Sequence, residues 1–366
     1  MTRARRVFAI AGGGTGGHVT PALALAEAVV ARGDAPFLLG GEIGLERRLV
    51  PEAGFELVTL PSGQMMGRGL AAKIRSALTT LRGVFAAWNE LRRRKPDVLI
   101  SVGGYASVPG VLAAFVRGVP IALVEPNAMP GRANRLAARL ARAIFLQFED
   151  AAARFEGSAP AQITGAPLRA DLVAAFRSAP PRHTPGQPLR VFVFGGSQGA
   201  RQINEAMMDA ASRLDPNRFE IFHQTGEADQ ERVAGAYAAT ALPARVVPFE
   251  PDMPTRYAES DLAVCRSGAL TLAELALARL PALLVPYPFA ADDHQAANAR
   301  AATAAGAARL LPSQPLSADD IVATLEELAE NPDHLVKMSE AQASLARPDA
   351  AGQIVEACAA WTEETR

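Results

Sequence analysis

The chain has 366 residues, 49% of them apolar and 20% charged, which excludes disordered and collagen-like chains and favours two domains over one core. No apolar run reaches the ~18 residues of a membrane span, and the run after the basic opening Thr2–Arg6 is too short for a signal peptide, so a cytoplasmic protein is expected. Cys265 and Cys358 are the only cysteines, too few for a disulfide framework or a multi-cysteine zinc site, and the charge is uneven: residues 1–164 carry 20 Lys/Arg against 12 Asp/Glu, the remainder 17 against 26. A basic first half implies an anionic partner on that side.

Short β-like runs are predicted at Val7–Ala11, Pro36–Leu39, Phe55–Leu60, Val98–Val102, Ile121–Val124 and Ile144–Phe148. Helical patterns lie between them, including Ala22–Ala31 and Val111–Val116. Such alternation predicts a parallel α/β sheet covered on both faces. From Leu70 to Leu91, apolar residues recur at 70, 74, 78, 81, 85, 88 and 91, near a helical period. Lys73, Arg75 and Arg82 are interspersed, and Arg92–Lys95 close the segment. Most of such a stripe is expected to pack into a core, while the basic excess fits attachment to anionic lipid.

The proline-rich segment 176–189, which contains His183, reads as a linker. Beyond it the alternation restarts, at Val191–Phe194, Glu220–His223, Val246–Phe249, Leu262–Val264 and Ala282–Val285. The two halves open alike, with "RRVFAIAGGGTGG" and "LRVFVFGGSQGA". Two α/β units of this kind leave a cleft at the C-terminal edges of their strands, where open parallel sheets bind ligands.

Gly12, Gly14 and Gly17 satisfy G-x-G-x-x-G, but Gly40 and Gly41 stand where a dinucleotide site needs an acidic residue, with Glu42 arriving late. No P-loop motif is present. Thr20 and Pro21 fit a helix N-cap and first helical position, so the loop is expected to feed a helix N-terminus that offers bare N–H groups to an anion. Gly195, Gly196, Ser197, Gln198 and Gly199 repeat that logic, and "SVGGYASVPG" at 101–110 supplies a third glycine cluster. One such loop is as well explained by a tight turn; two, each opening a domain, favour a ligand with a diphosphate.

Taken together, "GGGTGGHVTPALALAEA", "DVLISVGGYASVPG", "GGSQGARQIN" and "CRSGALTLAELA" resemble the MurG family, over about residues 6–350. The resemblance implies a GT-B fold of two Rossmann-like domains facing each other across a cleft. It places an acceptor and membrane-side domain at 1–164 and a UDP-GlcNAc domain at 165–349, with residues 350–366 crossing back onto the first. It further implies inverting transfer of GlcNAc from UDP-GlcNAc to the 4-hydroxyl of MurNAc in lipid I, without a cofactor. The partners so implied are UDP-GlcNAc, lipid I, the anionic inner face of the cell membrane and cell-wall synthesis proteins, with no nucleic acid.

Residue by residue, the resemblance puts Glu274 on the uridine ribose and Gln295 and Asn298, beside His294, on the sugar. Ser197 and Gln198 fall at the diphosphate, Arg169 near the donor phosphates, and Phe249 and Glu250 beside the uracil. Thr15, Gly16, Gly17, Tyr105 and Asn127 fall on the acceptor side. Relatives often carry His-Glu-Gln-Asn after the fifth strand, whereas this chain has Val124, Glu125, Pro126 and Asn127, so no histidine acts there.

Glycosyl transfer needs a base for the acceptor hydroxyl, and a histidine titrates in the right range. His18 is the candidate, although a loop-stabilising hydrogen bond accounts for it equally; His223 and His334 belong to no such motif. Asp292 and Asp293 read as an acidic helix N-terminus rather than a metal site. A related transferase with another acceptor, a UDP-GlcNAc epimerase and a non-catalytic binding subunit are the competing readings.

Overall fold

The computed structural model describes residues 5–62, 70–176, 187–196, 198–312 and 314–361. Ser197, His183 and most of the expected linker lie outside the described residues, as do residues 362–366 and the side chain of Lys73. The chain divides into two units, Met1–Ala170 with Arg347–Arg366, and Asp171–Ala346. The division falls after Ala170 rather than after residue 164, so Arg169 belongs to the N-terminal unit.

The N-terminal unit is built on strands β1 (Val7–Gly12), β2 (Ala35–Gly41), β3 (Leu57–Leu60), β4 (Val98–Gly103), β5 (Ile121–Glu125), β6 (Ala143–Leu146) and β7 (Ala161–Ile163). They form one parallel sheet in the order β3-β2-β1-β4-β5-β6-β7. Alternation along β1 sends Phe8 and Ile10 to one face and Ala9 and Ala11 to the other, and both faces are buried. The first face is covered by helix Gly16–Ala31, through Leu25 and Val29, and by the last helix, Ala350–Ala360, through Ile354, Val355 and Cys358. Arg32 ties the two helices by donating to Glu356. The opposite face is covered by helices Leu70–Arg94 and Val108–Arg117.

The C-terminal unit repeats the plan with β8 (Leu189–Phe194), β9 (Phe219–Gln224), β10 (Ala244–Val247), β11 (Leu262–Cys265), β12 (Ala282–Leu284) and β13 (Ala308–Leu310), in the order β10-β9-β8-β11-β12-β13. Its first six positions match those of the other sheet, as the repeated opening sequence predicts. In each sheet the strand order reverses between the first strand and its fourth, β1 against β4 and β8 against β11. The loops leaving those four strands therefore meet at a crevice in each unit.

Three sequence expectations need correction. The first helix begins at Gly16 with Thr15 as its N-cap, and Pro21 lies inside it, because the Thr15 carbonyl already accepts the N–H of His18 and Val19. Strands β7 and β13 have only three residues each, with Gln162 and Arg309 at their centres, too short and polar to register as apolar runs. In helix Leu70–Arg94, Gly83, Ala87 and Leu91 are the buried face, whereas Leu78, Leu81 and Phe85 of the predicted stripe are 55%, 63% and 67% exposed. A Cβ at Gly83 would lie 2.0 Å from the carbonyl oxygen of Pro61, so at this turn the helix packs by Gly83 and Ala87 and leaves Leu78, Leu81 and Phe85 outward.

Candidate active site

At the N-terminal crevice the five glycines from the last residue of β1 onward divide into two groups. Three make room for the protein itself: a Cβ would lie 2.2 Å from Val102 at Gly12, 2.3 Å from Glu46 at Gly13 and 3.0 Å from the Tyr105 ring at Gly14. Gly16 has nothing within 4 Å of such a Cβ, and at Gly17 only Thr15 Oγ1 is near, at 3.8 Å. These two open the helix, where N–H groups have no acceptor within the helix and the dipole favours an anion. The expectation that the whole loop clears space for a ligand thus narrows to its last two glycines.

His18 sits one residue further on, with Nδ1 3.1 Å from Thr15 Oγ1. Gly104, at φ +79°, lets the loop after β4 come up to the ring, since a Cβ there would stand 3.2 Å from His18 Nδ1. Tyr105 lies across Gly14 and donates its hydroxyl to the Ile43 carbonyl at 3.1 Å. The structure therefore brings Thr15, Gly16, Gly17, His18 and Tyr105 together.

Asn127 stands after β5, where it gives both its N–H and its Nδ2 to Glu125 Oε1 at 3.0 Å. Glu125 also accepts from the Gly131 N–H at 2.9 Å and from Asn134 Nδ2 at 3.0 Å. Burial pushes the Glu125 carboxyl up, and those four donors oppose the shift. Asn134 is itself buried beside Gly103, with its Oδ1 lacking a partner among the described residues. In this chain the loop after β5 is organised around Glu125, and neither Val124 nor Pro126 enters the network through its side chain.

Sequence reasoning did not assign a role to Glu46 or Asn134, which carry no motif spacing of their own, nor to Glu125, whose segment stands out only for its missing histidine and glutamine. A signal for Glu46 lies in the glycines at 40, 41 and 44, of which Gly40 and Gly41 read only as the lack of a dinucleotide acid.

The C-terminal crevice holds a cleft of about 860 Å³ lined by Gly195, Gly196, Gln202, Arg266, Tyr287 and Gln295, among others. Gly196, at φ +89°, has open space where a Cβ would stand. Gly199 is closed by the Thr225 carbonyl oxygen, which would lie 1.8 Å from a Cβ, so this glycine lets the loops after β8 and β9 touch. Gln198 is exposed on that turn. Gln224, buried, donates to the carbonyls of Gly196 and Pro248 at 3.0 and 3.2 Å and fixes the turn from below. Beneath it Asn204 bridges the Thr225 carbonyl and Asp229, while its Oδ1 meets His223 Nε2 at 3.1 Å; His223 Nδ1 meets the Tyr237 hydroxyl at 3.0 Å. Burial pulls the His223 pKa down to about 3, so it is a neutral structural member.

Glu274 lies one turn after Thr271, a cleft residue, on helix Ala269–Leu277, which puts both on one helix face. The fully buried Tyr257 donates its hydroxyl to Glu274 Oε2 at 2.7 Å; burial first and this carboxylate second raise the tyrosine pKa. Gln295 accepts the Tyr287 N–H through Oε1 at 2.9 Å. Both Gln295 and Asn298 meet Ser267: the Gln295 backbone carbonyl accepts from Ser267 Oγ at 2.8 Å, and the fully buried Asn298 donates to the Ser267 carbonyl at 3.1 Å. His294 begins that helix behind Asp292 and Asp293, both at positive φ (51° and 55°), an uncommon conformation for non-glycine residues.

Phe249 is exposed beside Glu250, whose carboxylate accepts the Asp252 N–H at 2.8 Å and faces Arg256 at 3.5 Å. Arg169 is half-buried at the end of the N-terminal unit. Arg266, inside a quoted motif yet not assigned from it, donates to Gln202 and to the carbonyls of Val285 and Pro286 at 3.0–3.1 Å and lies over the Tyr287 ring. Burial pulls its pKa below the ordinary arginine value.

Residues 8–146 match the glycosyltransferase family 28 N-terminal domain and residues 190–354 the family 28 C-terminal domain. The chain is 41% identical over 373 residues to the UDP-N-acetylglucosamine–N-acetylmuramyl-(pentapeptide) pyrophosphoryl-undecaprenol N-acetylglucosamine transferase of Magnetococcus marinus, covering 100% of both chains. It is 40% identical to the same enzyme of Myxococcus xanthus, over 95% of this chain and 91% of that one. Among solved structures it resembles Acinetobacter baumannii MurG, at TM-score 0.81 and 29% identity, covering 98% and 100% of the two chains. A UDP-GlcNAc 2-epimerase from Neisseria meningitidis shares the fold alone, at TM-score 0.69 and 14% identity over 99% of this chain and 100% of that one.

Proposed function

Because the chain belongs to the UDP-N-acetylglucosamine–N-acetylmuramyl-(pentapeptide) pyrophosphoryl-undecaprenol N-acetylglucosamine transferases, we propose a division of that reaction between its two crevices. The chain is a GT-B N-acetylglucosaminyltransferase that carries GlcNAc from UDP-GlcNAc to lipid I. The C-terminal unit takes the donor. Glu274, held through one oxygen by Tyr257, accepts the ribose hydroxyls; the segment at Phe249 and Glu250 borders the uracil; Gln295 and the turn at Gly196 and Gln198 meet the sugar and diphosphate. The N-terminus of helix Arg201–Ala211 and the charge of Arg266 oppose the negative charge that develops on departing UDP.

The N-terminal unit takes the acceptor, with the Gly16 and Gly17 N–H groups facing its diphosphate. With Nδ1–H donated to Thr15 Oγ1, His18 Nε2 carries the lone pair that removes the proton from the MurNAc 4-hydroxyl. The hydroxyl oxygen bonds to C1 of GlcNAc as the C1–phosphate bond breaks, UDP leaves with the electron pair, and the anomeric configuration inverts. The observation that carries this reading is the repeat itself: one crevice presents a cleft next to a tyrosine-held carboxylate, and the other a histidine beside two unobstructed glycines.

Attachment to the inner membrane face rests on a separate observation. Leu78, Leu81 and Phe85, with Phe115 and Val116 of the neighbouring helix, are exposed on elements that also carry Arg75, Arg82, Arg92 and Arg117. Arg92 and Arg117 both lie over the Trp88 ring, at 5.7 and 5.5 Å. Exposed apolar side chains on arginine-bearing helices fit an anionic lipid surface, and the described residues include no helix long and apolar enough to cross a membrane.

Transfer from radiolabelled UDP-GlcNAc to a short-chain lipid I analogue, with a no-acceptor control, tests the proposal. Acceptor-dependent disaccharide formation that collapses in His18→Ala supports it. Transfer that survives in both His18→Ala and His18→Gln removes the base from His18.

A further inference from the structure

Four glycines surround one buried carboxylate. Glu46, the first residue of helix Glu46–Glu52, is 1% exposed. Its Oε2 accepts the Gly14 N–H at 2.8 Å and its Oε1 the Gly41 N–H at 2.9 Å. A Cβ would stand 2.3 Å from Oε1 at Gly13, 2.2 Å from Oε2 at Gly44, 2.8 Å from Cγ at Gly40 and 3.3 Å from Oε1 at Gly41. Side chains at the first three of these positions would displace the carboxylate. The loops leaving β1 and β2 are thus built around Glu46, and the Tyr105 hydroxyl ties the second of them to the loop leaving β4 through Ile43.

We propose that Glu46 is a positioning residue for transfer: by holding the Gly14 and Gly41 N–H groups it sets the path of the loop that delivers Gly16, Gly17 and His18. A buried carboxylate accepting charge-assisted hydrogen bonds from two separate loops fixes them more firmly than neutral contacts do. Gly14 lies four residues before His18, so releasing its N–H lets the reacting end of the loop shift. Glu46 touches neither substrate in this account. The inference rests on the reading that the N-terminal unit takes the acceptor.

Glu46→Gln keeps the shape but turns one acceptor oxygen into an NH₂ group, which cannot accept an N–H. In the full-length protein, kcat/KM for a short-chain lipid I analogue should fall roughly tenfold to a hundredfold, since displacements near 1 Å carry that penalty. The KM for UDP-GlcNAc should stay within about twofold, and amide hydrogen exchange at Gly14 or Gly41 should accelerate. Glu46→Asp, which keeps both oxygens on a shorter stem, should lie between the two and carries the same comparison should the glutamine variant not fold. Faster exchange with unchanged acceptor kinetics would overturn the proposal. So would equal losses on both substrates with a lowered melting temperature, the mark of a purely structural role. A loss confined to UDP-GlcNAc would instead overturn the assignment of the acceptor to this unit.

Discussion

The two units share a strand order and a first-loop sequence, yet the floors beneath those loops are chemically opposite. Under the loop after β1 lies an acid, Glu46, taking N–H groups. Under the loops after β8 and β9 lie amides and a neutral histidine, with Gln224 giving hydrogens to Gly196 in the first and Asn204 to Thr225 in the second. An acceptor floor draws loop N–H groups inward, and a donor floor draws loop carbonyls inward and leaves N–H groups to face out. The second arrangement suits a loop that is itself the anion site. In the proposed division the first leaves that task to the residues beyond it, Gly16 and Gly17, which His18 follows. Topology thus supplies two equivalent crevices, and on the proposed reading a few buried polar side chains divide chemistry from nucleotide binding between them.

The largest effect that could break this contrast is at His18. His18→Ala should lower kcat by roughly 10²–10⁴, the span of general-base catalysis, while UDP binding stays unchanged. A loss of UDP affinity instead would erase the division between the crevices. Glu274→Gln should act on the other side. On the proposed donor assignment it removes charge from the hydrogen bonds to the ribose and should cost about 2–3 kcal/mol in kcat/KM for UDP-GlcNAc, with the acceptor KM little changed. Steady-state kinetics with each substrate varied in turn separates the two.

How far the sequence foretold this contrast depends on the residue. The repeat was legible because apolar runs such as Val7–Ala11 and Val191–Phe194 are long and followed by glycine; β7 and β13 were not, having three residues and a polar centre each. Which glycines face a ligand could not be read, because the neighbour filling the space at Gly13 comes from position 46 and the one at Gly199 from position 225. Residues 295 and 298, three apart, share a helix face by spacing alone, but the burial of Asn298 against Ser267 is a tertiary fact. The stripe at Leu78, Leu81 and Phe85 has the period of a core face and is not one, since Gly83 and Ala87 pack inward and Gly83 meets the loop at Pro61. Periodicity names a face without saying what covers it.

The buried groups under the two crevices also sharpen the contrast through pH. His223, with its pKa depressed to about 3 from an ordinary 6.5, refuses a proton that the unfolded chain accepts. The C-terminal unit should therefore lose stability as pH falls below 6.5, about 2 kcal/mol by pH 5 at ~1.4 kcal/mol per unit. Glu125 has the opposite sign: its carboxyl is raised by burial, so the N-terminal unit is favoured at low pH and penalised as pH rises through the folded value. Amide hydrogen exchange in the intact protein reads each unit separately. Strand Phe219–Gln224 should exchange faster at pH 5 than at pH 6.5 after correction for intrinsic rates, and His223→Gln should flatten that difference. The same slope in wild type and variant would show that another group carries it.

The smallest expected effect concerns a surface that only the N-terminal unit is proposed to use. Phe85 is 67% exposed and stacks beside Trp88 with ring centres 6.2 Å apart, and burying such a ring in the acyl boundary is worth ~1.5–3 kcal/mol. Phe85→Ser should therefore weaken partition onto phosphatidylglycerol vesicles by roughly tenfold. It should leave transfer to a water-soluble short-chain acceptor unchanged, because the ring lies on a helix that supplies no residue to either crevice. Raising salt from about 0.1 to 0.5 M should weaken the wild type and Phe85→Ser by similar factors, because the arginines of the two helices are screened in both. Binding that ignores anionic lipid and salt alike would remove the arginines from the account, and binding that ignores Phe85 would return the exposed stripe to the category of a helix face with no membrane role.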